Sequence, residues 1–307
     1  TLQDSIATAT LDTTDQVFVI PAYLDITLHT NAQKIDFKDA ELTNVLGEVI
    51  IRDQSINLSN LKMDSNIGRG NMTMFYTAKD NSGASAGFDL DMEDVMVEKL
   101  IGLYPAIDTL VPMLRSFEGV VDCQVTATCK MDSTMSLELP SLHSACYLHG
   151  ENMVLLDGET FTEISKTLMF KNKKRNVIDS ISVDLAIKDN KIEVFPFLVE
   201  MDRYKVAVGG THNLDMTFNY HLSVLKSPVP FKLGIDITGN LDDFKYKIVK
   251  CRYKDLFKPA KEAELDSTRT NVRKEIRESI RNQIRETAPE LVSSLSPNHT
   301  ATPPEGE

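Results

Sequence analysis

Gly83-Ala-Ser85-Ala-Gly87 spells the Gly-x-Ser-x-Gly pattern, in which a nucleophilic serine sits on a strained turn between a strand and a helix. Lys79-Asp-Asn-Ser82 precedes it, and the alternating Ala86, Phe88 and Leu90 follow, so both flanks are wrong and the segment reads as a hairpin loop. His143, Ser144, Cys146 and His149 bring imidazoles and a thiol close together in sequence. A thiolate nucleophile needs a base within hydrogen-bond reach in a cleft. On a strand His143 and Cys146 project to opposite faces. Asp89, Asp91, Glu93 and Asp94 open like a calcium loop but lack its glycine at position six and glutamate at position twelve. Just ahead of a predicted helix, they are expected to complement its dipole. The histidines show no HExxH, and Cys123, Cys129, Cys146 and Cys251 form no CxxC pair. Cys123 and Cys129 would share a strand face about 20 Å apart, too far to bridge. No glycine-rich phosphate loop is present. These residues predict no catalytic group, no metal and no cofactor.

What remains is the scaffold that such groups would have needed. The chain has 307 residues, with 33 Lys and Arg against 45 Asp and Glu, a net charge of −12. That balance argues against a general nucleic-acid binder, which needs a basic face to displace counterions. Apolar residues at 42% exclude wholesale disorder, and no apolar run reaches the roughly 18–20 residues of a membrane span. The opening at Thr1 suggests a piece of a longer chain.

The dominant signal is alternation with period two, the mark of strands with one apolar face. Leu24, Ile26 and Leu28 begin it; Ile56 and Leu58, then Met72 and Met74, then Ala86, Phe88 and Leu90 continue it. Met131, Met135 and Leu137 are read as a further strand. The second half repeats the habit with Ile181, Val183 and Leu185, with Val206 and Val208, with Met216 and Phe218, and with Ile235 and Ile237. Asp189-Asn190, Gly209-Gly210, Ser227-Pro228 and Gly239-Asn240 punctuate it, and such short connections favour antiparallel hairpins. Helices are predicted over 94–103, from Pro105 to near Gly119, and over 160–170 behind a Thr160/Glu163 capping box.

From Lys258 the texture changes. Val272, Ile276, Ile280 and Ile284 recur every fourth residue, each followed by an arginine (Arg273, Arg277, Arg281, Arg285). This predicts a long helix with a one-residue apolar stripe, lying against the sheet or touching anionic headgroups. The tail beyond Ser293 reads as disordered.

Leu42-Thr-Asn-Val-Leu-Gly47 through Asp53-Gln-Ser-Ile56-Asn-Leu58 to Met63, the step Gly68-Arg-Gly70, and Ser180 to Ile192 followed by Val206-Ala-Val-Gly-Gly-Thr211 resemble the C-terminal region of AsmA-like proteins. The resemblance covers about residues 20–256 and is one of strand texture. It implies a Gram-negative envelope protein, periplasmic and tethered to the inner membrane. It also implies kinship with bridge-like lipid carriers and a part in outer-membrane homeostasis.

The expected fold is mainly β: a long, curved antiparallel sheet forming an open apolar groove or rolled half-barrel, with short helices near 93–116 and 160–170 and a C-terminal helix. Its expected divisions are an entering segment 1–19, β segments 20–157 and 158–257 in one continuous sheet, the helix 258–292 and the tail 293–307. A closed sandwich, or a sheet filled by its own side chains, is the competing expectation. Phospholipid or another acyl-chain lipid is the expected ligand, with membrane proteins as possible partners and no nucleic acid. The candidate groove residues are Leu24, Ile26, Leu28, Ile56, Leu58, Met72, Met74, Phe88, Met135, Ile181, Val183, Leu185, Val206, Met216, Phe218 and Ile235.

Overall fold

The computed structural model describes residues 16–37, 40–103, 117–155, 176–201, 204–213, 217–227, 232–240 and 243–292. Its strands are β1 (Ile26–Phe37), β2 (Ala40–Arg52), β3 (Ser55–Ser65), β4 (Arg69–Thr77), β5 (Gly83–Met96), β6 (Phe117–Glu118) and β7 (Val120–Asp132) in the first half. The second half adds β8 (His143–Leu155), β9 (Asn176–Lys188), β10 (Lys191–Met201), β11 (Tyr204–Asn213), β12 (Phe218–Lys226), β13 (Leu233–Gly239) and β14 (Phe244–Val249). All belong to one antiparallel sheet in which each strand pairs with the next, apart from β6, which pairs with β8. The sheet does not close into a barrel, so β1 and β14 are its two edges.

Local chemistry accounts for this meander. Asp53-Gln54 and Asp189-Asn190 all take positive φ, between 51° and 60°. Two successive left-handed residues make the tight turn whose twist matches that of a hairpin, and Asp and Asn tolerate that region better than most residues. Asn44, Asn60 and Asp94 also have positive φ, each where the pairing register slips. Such bulges sharpen the twist of the strand that carries them.

The helix predicted over 94–103 starts later. Strand β5 runs on to Met96 through a bulge at Asp94, whose amide donates to Asp122 Oδ1 (3.0 Å) and whose carboxylate accepts from Arg69 (2.6 Å). Val95 and Met96 keep pairing with Val121 and Val120, and α1 occupies only Val97–Leu103. Most of the helix predicted from Pro105, the one predicted over 160–170 and the tail from Ser293 lie outside the described residues. Where the helix predicted from Pro105 should end, Phe117–Glu118 is strand. Gly119, at φ +145°, breaks it from β7; a Cβ there would sit 2.8 Å from Met153 Sδ.

The C-terminal helix is present as α2 (Pro259–Thr287), followed by a short α3 (Pro289–Val292). No helix among the described residues is long and apolar enough to cross a membrane. Helix α2 lies across the strands. Its Arg269 and Arg273 meet Asp184 on β9, Arg277 meets Asp89 and Asp91 on β5, Thr287 meets Asn57 on β3, and Glu290 of α3 meets Arg52 on β2. From Arg269 to Thr287 the helix rises about 27 Å, and from β9 to β3 the sheet extends about 24 Å. The helix therefore crosses the strands nearly at right angles. Ile276, Ile280, Ile284, Ala288 and Leu291 are buried with Ile50, Phe75 and Ala145 beneath them. The main core lies elsewhere, where β5 and β7 to β12 contribute Cys123, Met153, Ile178, Ile181, Phe197, Val206 and Val224, with Val97 of α1.

Candidate functional site

Residues directly opposite each other on paired strands share a sheet face. The pairings place Leu61, Met72, Leu90, Val125, Cys146, Leu185, Val194, Gly210, Tyr220, Ile237 and Tyr246 in one row crossing eleven strands, from β3 to β14. The row is about 48 Å long and holds no charged side chain. A parallel row runs Leu28, Val49, Leu58, Met74, Phe88, Ala127. This is the apolar face. The opposite face carries Asn71, Asp91, Gln124, Tyr147 and Asp184 in a polar row of its own, and there α2 is seated.

Burial is the reverse of what alternation suggests in the first strands. Ser55, Asn57 and Ser59 are 0–3% exposed, whereas Ile56 and Leu58 between them are only half-buried. Thr73 and Phe75 are buried while Met72 and Met74 are half-buried, and Phe88 and Leu28 are exposed. The helix covers the polar face here; some of the buried polar groups find partners on it or on a neighbouring strand, while Ser59 Oγ and Asn57 Oδ1 have none among the described residues. Asn57 Nδ2 donates to Thr287 Oγ1 (2.9 Å), and Ser55 Oγ lies 2.7 Å from Thr77 Oγ1. Across β9 to β13 the order returns to the expected one, with Leu185, Ile187, Ile192, Val224 and Ile235 buried on the apolar face.

Thirteen of the sixteen candidate residues are brought onto this one face: Ile26, Leu28, Ile56, Leu58, Met72, Met74, Phe88, Ile181, Val183, Leu185, Val206, Phe218 and Ile235. Leu24 precedes β1. Met216 lies outside the described residues. Met135 is not on a strand: it sits at φ +59° in the turn after β7, because Asp132 Oδ1 gathers the amides of Thr134 (2.8 Å) and Ser136 (3.1 Å) and folds the chain back.

Gly83–Gly87 opens β5 on a strand-to-strand turn, without the strand-then-helix geometry of a nucleophile elbow. Burial pushes the Cys123 thiol up to about 11 and the Cys146 thiol to about 12, so both are protonated and poor nucleophiles. Asp89 and Asp91 do not serve a helix dipole. They lie within β5, where Arg277 Nε reaches Asp89 (2.8 Å) and its Nη2 reaches Asp91 (3.2 Å). Among the described residues no three His, Cys, Asp or Glu side chains are placed to hold a metal ion.

One constellation escaped the sequence. Asp236 Oδ1 lies 2.6 Å from His221 Nδ1, and His221 Nε2 lies 2.9 Å from Ser223 Oγ, the order of a hydrolase triad. Ser223 is 0% exposed, and its Oγ accepts the Tyr253 amide (3.0 Å) while His221 Nε2 accepts that of Arg252 (3.2 Å). The nucleophile position is sealed, and its hydroxyl is held between the His221 ring and the Tyr253 amide. The three side chains latch the segment after β14 onto the sheet. Only alternation at 221 and 223 hints at a shared face; the pairing that supplies Asp236 spans a hairpin.

Asp184 anchors the helix. Arg273 Nη2 lies 2.5 Å from its Oδ1, Arg269 Nη1 is 3.7 Å from its Oδ2, and Arg273 also bonds Gln124 and stacks over Tyr147. Burial raises the carboxyl above its usual range against the opposing pull of Arg273 and Arg269. A raised folded value means the folded state holds the proton more tightly, so this group adds stability as pH falls from the raised value towards 3.8. Asp184→Asn removes that linkage. Urea unfolding at pH 7 and at about pH 4 is expected to show the wild type gaining on the variant at the lower pH.

An open cleft of about 280 Å³ lies between α2 and the β8–β10 strands. Lys188, Lys191, His143, Glu193 and Glu275 around it mix both signs of charge and select no ligand class. The apolar face is therefore the candidate site. No family model, curated protein or solved structure matches the chain.

Proposed function

We propose that this protein binds an acyl-chain lipid, phospholipid first among them, along its apolar sheet face and lets it move there without covalent chemistry. In this reading it is an envelope protein of outer-membrane homeostasis, periplasmic and held at the inner membrane in its full-length form, as the AsmA-like resemblance implies. The face works as a groove: apolar side chains shield the chains while headgroups stay in water. The observation that carries the reading is the unbroken apolar row across eleven strands, with α2 seated on the other face. Across β7 to β13 this face is filled by its own side chains, with Leu185, Val206 and Ile235 buried, and it opens over β1 to β5, where Leu28 and Phe88 are exposed; an apolar patch left open on one side of a sheet marks a binding surface. Met72 and Met74 give it adaptable contacts. Each CH₂ taken from water contributes about 0.8 kcal/mol, so a shallow groove can hold two chains.

Native mass spectrometry of the purified protein, with analysis of its organic extract, tests the reading. Near-stoichiometric phospholipid is expected. The double substitution Met74→Asp, Phe88→Asp is expected to remove at least nine-tenths of it while circular dichroism stays unchanged, because both side chains are partly solvent-facing. Absence of lipid, together with no uptake of a photo-crosslinkable phospholipid, would refute it.

A second reading rests on the two sheet edges. Among the described residues β1 and β14 each have one unpaired side, and an unpaired edge can take an extended peptide by strand addition. A scaffold for outer-membrane protein assembly would use them. Capture of extended peptides that is indifferent to the Met74/Phe88 substitution would favour it.

A further inference from the structure

We infer that the β14 end of the sheet docks on an anionic phospholipid bilayer. Residues 243–262 hold seven cationic side chains and three carboxylates, a net +4 in a chain of net −12. The structure gathers these charges at one place: β14 is the last strand of the sheet, and the segment after it folds back onto β12 and β13. Lys245, Lys247 and Lys250 are exposed, and none of them has an ion-pair partner among the described residues. Arg252 is committed to Asp236 (2.5 Å), and Asp255 is neutralised by Lys258 (2.6 Å). Lys245 and Lys247 therefore face solvent together from one side of β14, and Lys250 follows directly after the strand.

On the other side of the same strand stand Tyr246 and Ile248, 52% and 62% exposed, among the most exposed large apolar residues of the protein. Tyr246 is the last member of the eleven-strand apolar row. A strand with lysines on one side and an exposed tyrosine and isoleucine on the other fits the membrane interface. There the aromatic ring settles at headgroup depth and the ammonium groups reach phosphates. An acidic protein would satisfy the lysines but leave Ile248 and Tyr246 unexplained. Lysines on an edge strand also deter edge-to-edge pairing, a role that needs no membrane.

The two roles separate by measurement on the full chain. Flotation with vesicles of phosphatidylcholine mixed with anionic phosphatidylglycerol, whose surface potential attracts lysines, is compared with phosphatidylcholine alone. Binding is expected only to the anionic vesicles and is expected to weaken with salt. Lys245→Gln, Lys247→Gln, Lys250→Gln together should lower the partition coefficient roughly a hundredfold, about fivefold per lysine. Lys62→Gln, Lys79→Gln, Lys188→Gln, three exposed lysines away from this edge, should lower it far less. Tyr246→Ser, Ile248→Ser should remove the part that survives high salt. No binding, equal binding to neutral vesicles, equal loss in the control triple, or binding confined to an acidic polypeptide would each overturn the inference. The assay reads docking whether or not the apolar face holds lipid, so its failure is distinct from failure of the groove reading.

Discussion

Phe75→Ala is expected to cost about 3–5 kcal/mol, whereas Phe88→Ala should cost less than about 1 kcal/mol. The two phenylalanines lie on adjacent paired strands, one register step apart: Phe75 faces Gly87, and Phe88 faces Met74. Their environments differ because their faces differ. Phe75 is 4% exposed and packs with Ile276, Ile280 and Ile284 of α2. Its ring occupies the space above Gly87, where a Cβ would approach Phe75 Cε1 to 2.5 Å. Truncation leaves a cavity that the stiff sheet beneath cannot close, and it removes the platform for the helix's narrow apolar stripe. Phe88 is 36% exposed, on the face away from α2. Urea unfolding of both variants measures the difference, and hydrogen exchange should show α2 opening earlier in Phe75→Ala alone. Equal costs would mean that the burial pattern of the first five strands is wrong. Lipid occupancy should respond the other way round, falling in Phe88→Ala.

Gly234→Val should rank beside it, with an expected loss above about 3 kcal/mol from overpacking and broken hydrogen bonds together. Gly234 lies on β13 under the segment that returns from β14. A Cβ would stand 2.5 Å from the Lys250 carbonyl oxygen and 2.8 Å from His221 Cε1. The first is main chain and cannot swing aside. Lifting it breaks the bonds from the Arg252 amide to His221 and from the Tyr253 amide to Ser223, leaving buried acceptors unpaired. This segment delivers α2 to the sheet, so the damage should reach beyond β13. Hydrogen exchange is expected to accelerate in residues 250–258 and in α2, while β1 to β8 keep their protection. Gly234→Ala should show the same pattern more weakly. A valine variant with native exchange in residues 250–258 would refute the latch.

The strands were legible because their signal is local. Alternation over five or more residues, ended by Asp-Asn or Gly-Asn turns, depends only on neighbours in the chain, and β3, β9 and β13 follow it closely. The long helix was legible for the same reason. Helix α1 was misplaced because the Asp89–Asp94 carboxylates look like a helix start only when their partners are unknown. Arg69 and Arg277 are distant in sequence, and with both in place the strand runs on to Met96. Met135 was misread for a similar reason. Apolar spacing suggested a strand, but a side chain three residues earlier recruits its neighbours' amides into a turn.

The residue pattern by itself determined that this chain makes many antiparallel strands with one apolar and one polar face, and that it ends in a helix carrying an isoleucine and an arginine every fourth residue. Which face is buried was decided only by tertiary structure. Transfer from water favours covering the apolar face, so pattern alone assigns Ser55, Asn57, Ser59 and Asp89 to solvent. In the folded protein the arginines of α2 find Asp89, Asp91 and Asp184 in register across β5 and β9, and a short isoleucine stripe finds Ile50 and Phe75 between them. Charge pairing and that small contact together seat the helix on the polar face. Leu28 and Phe88 are left exposed on the other side, and Leu58 and Met74 partly so.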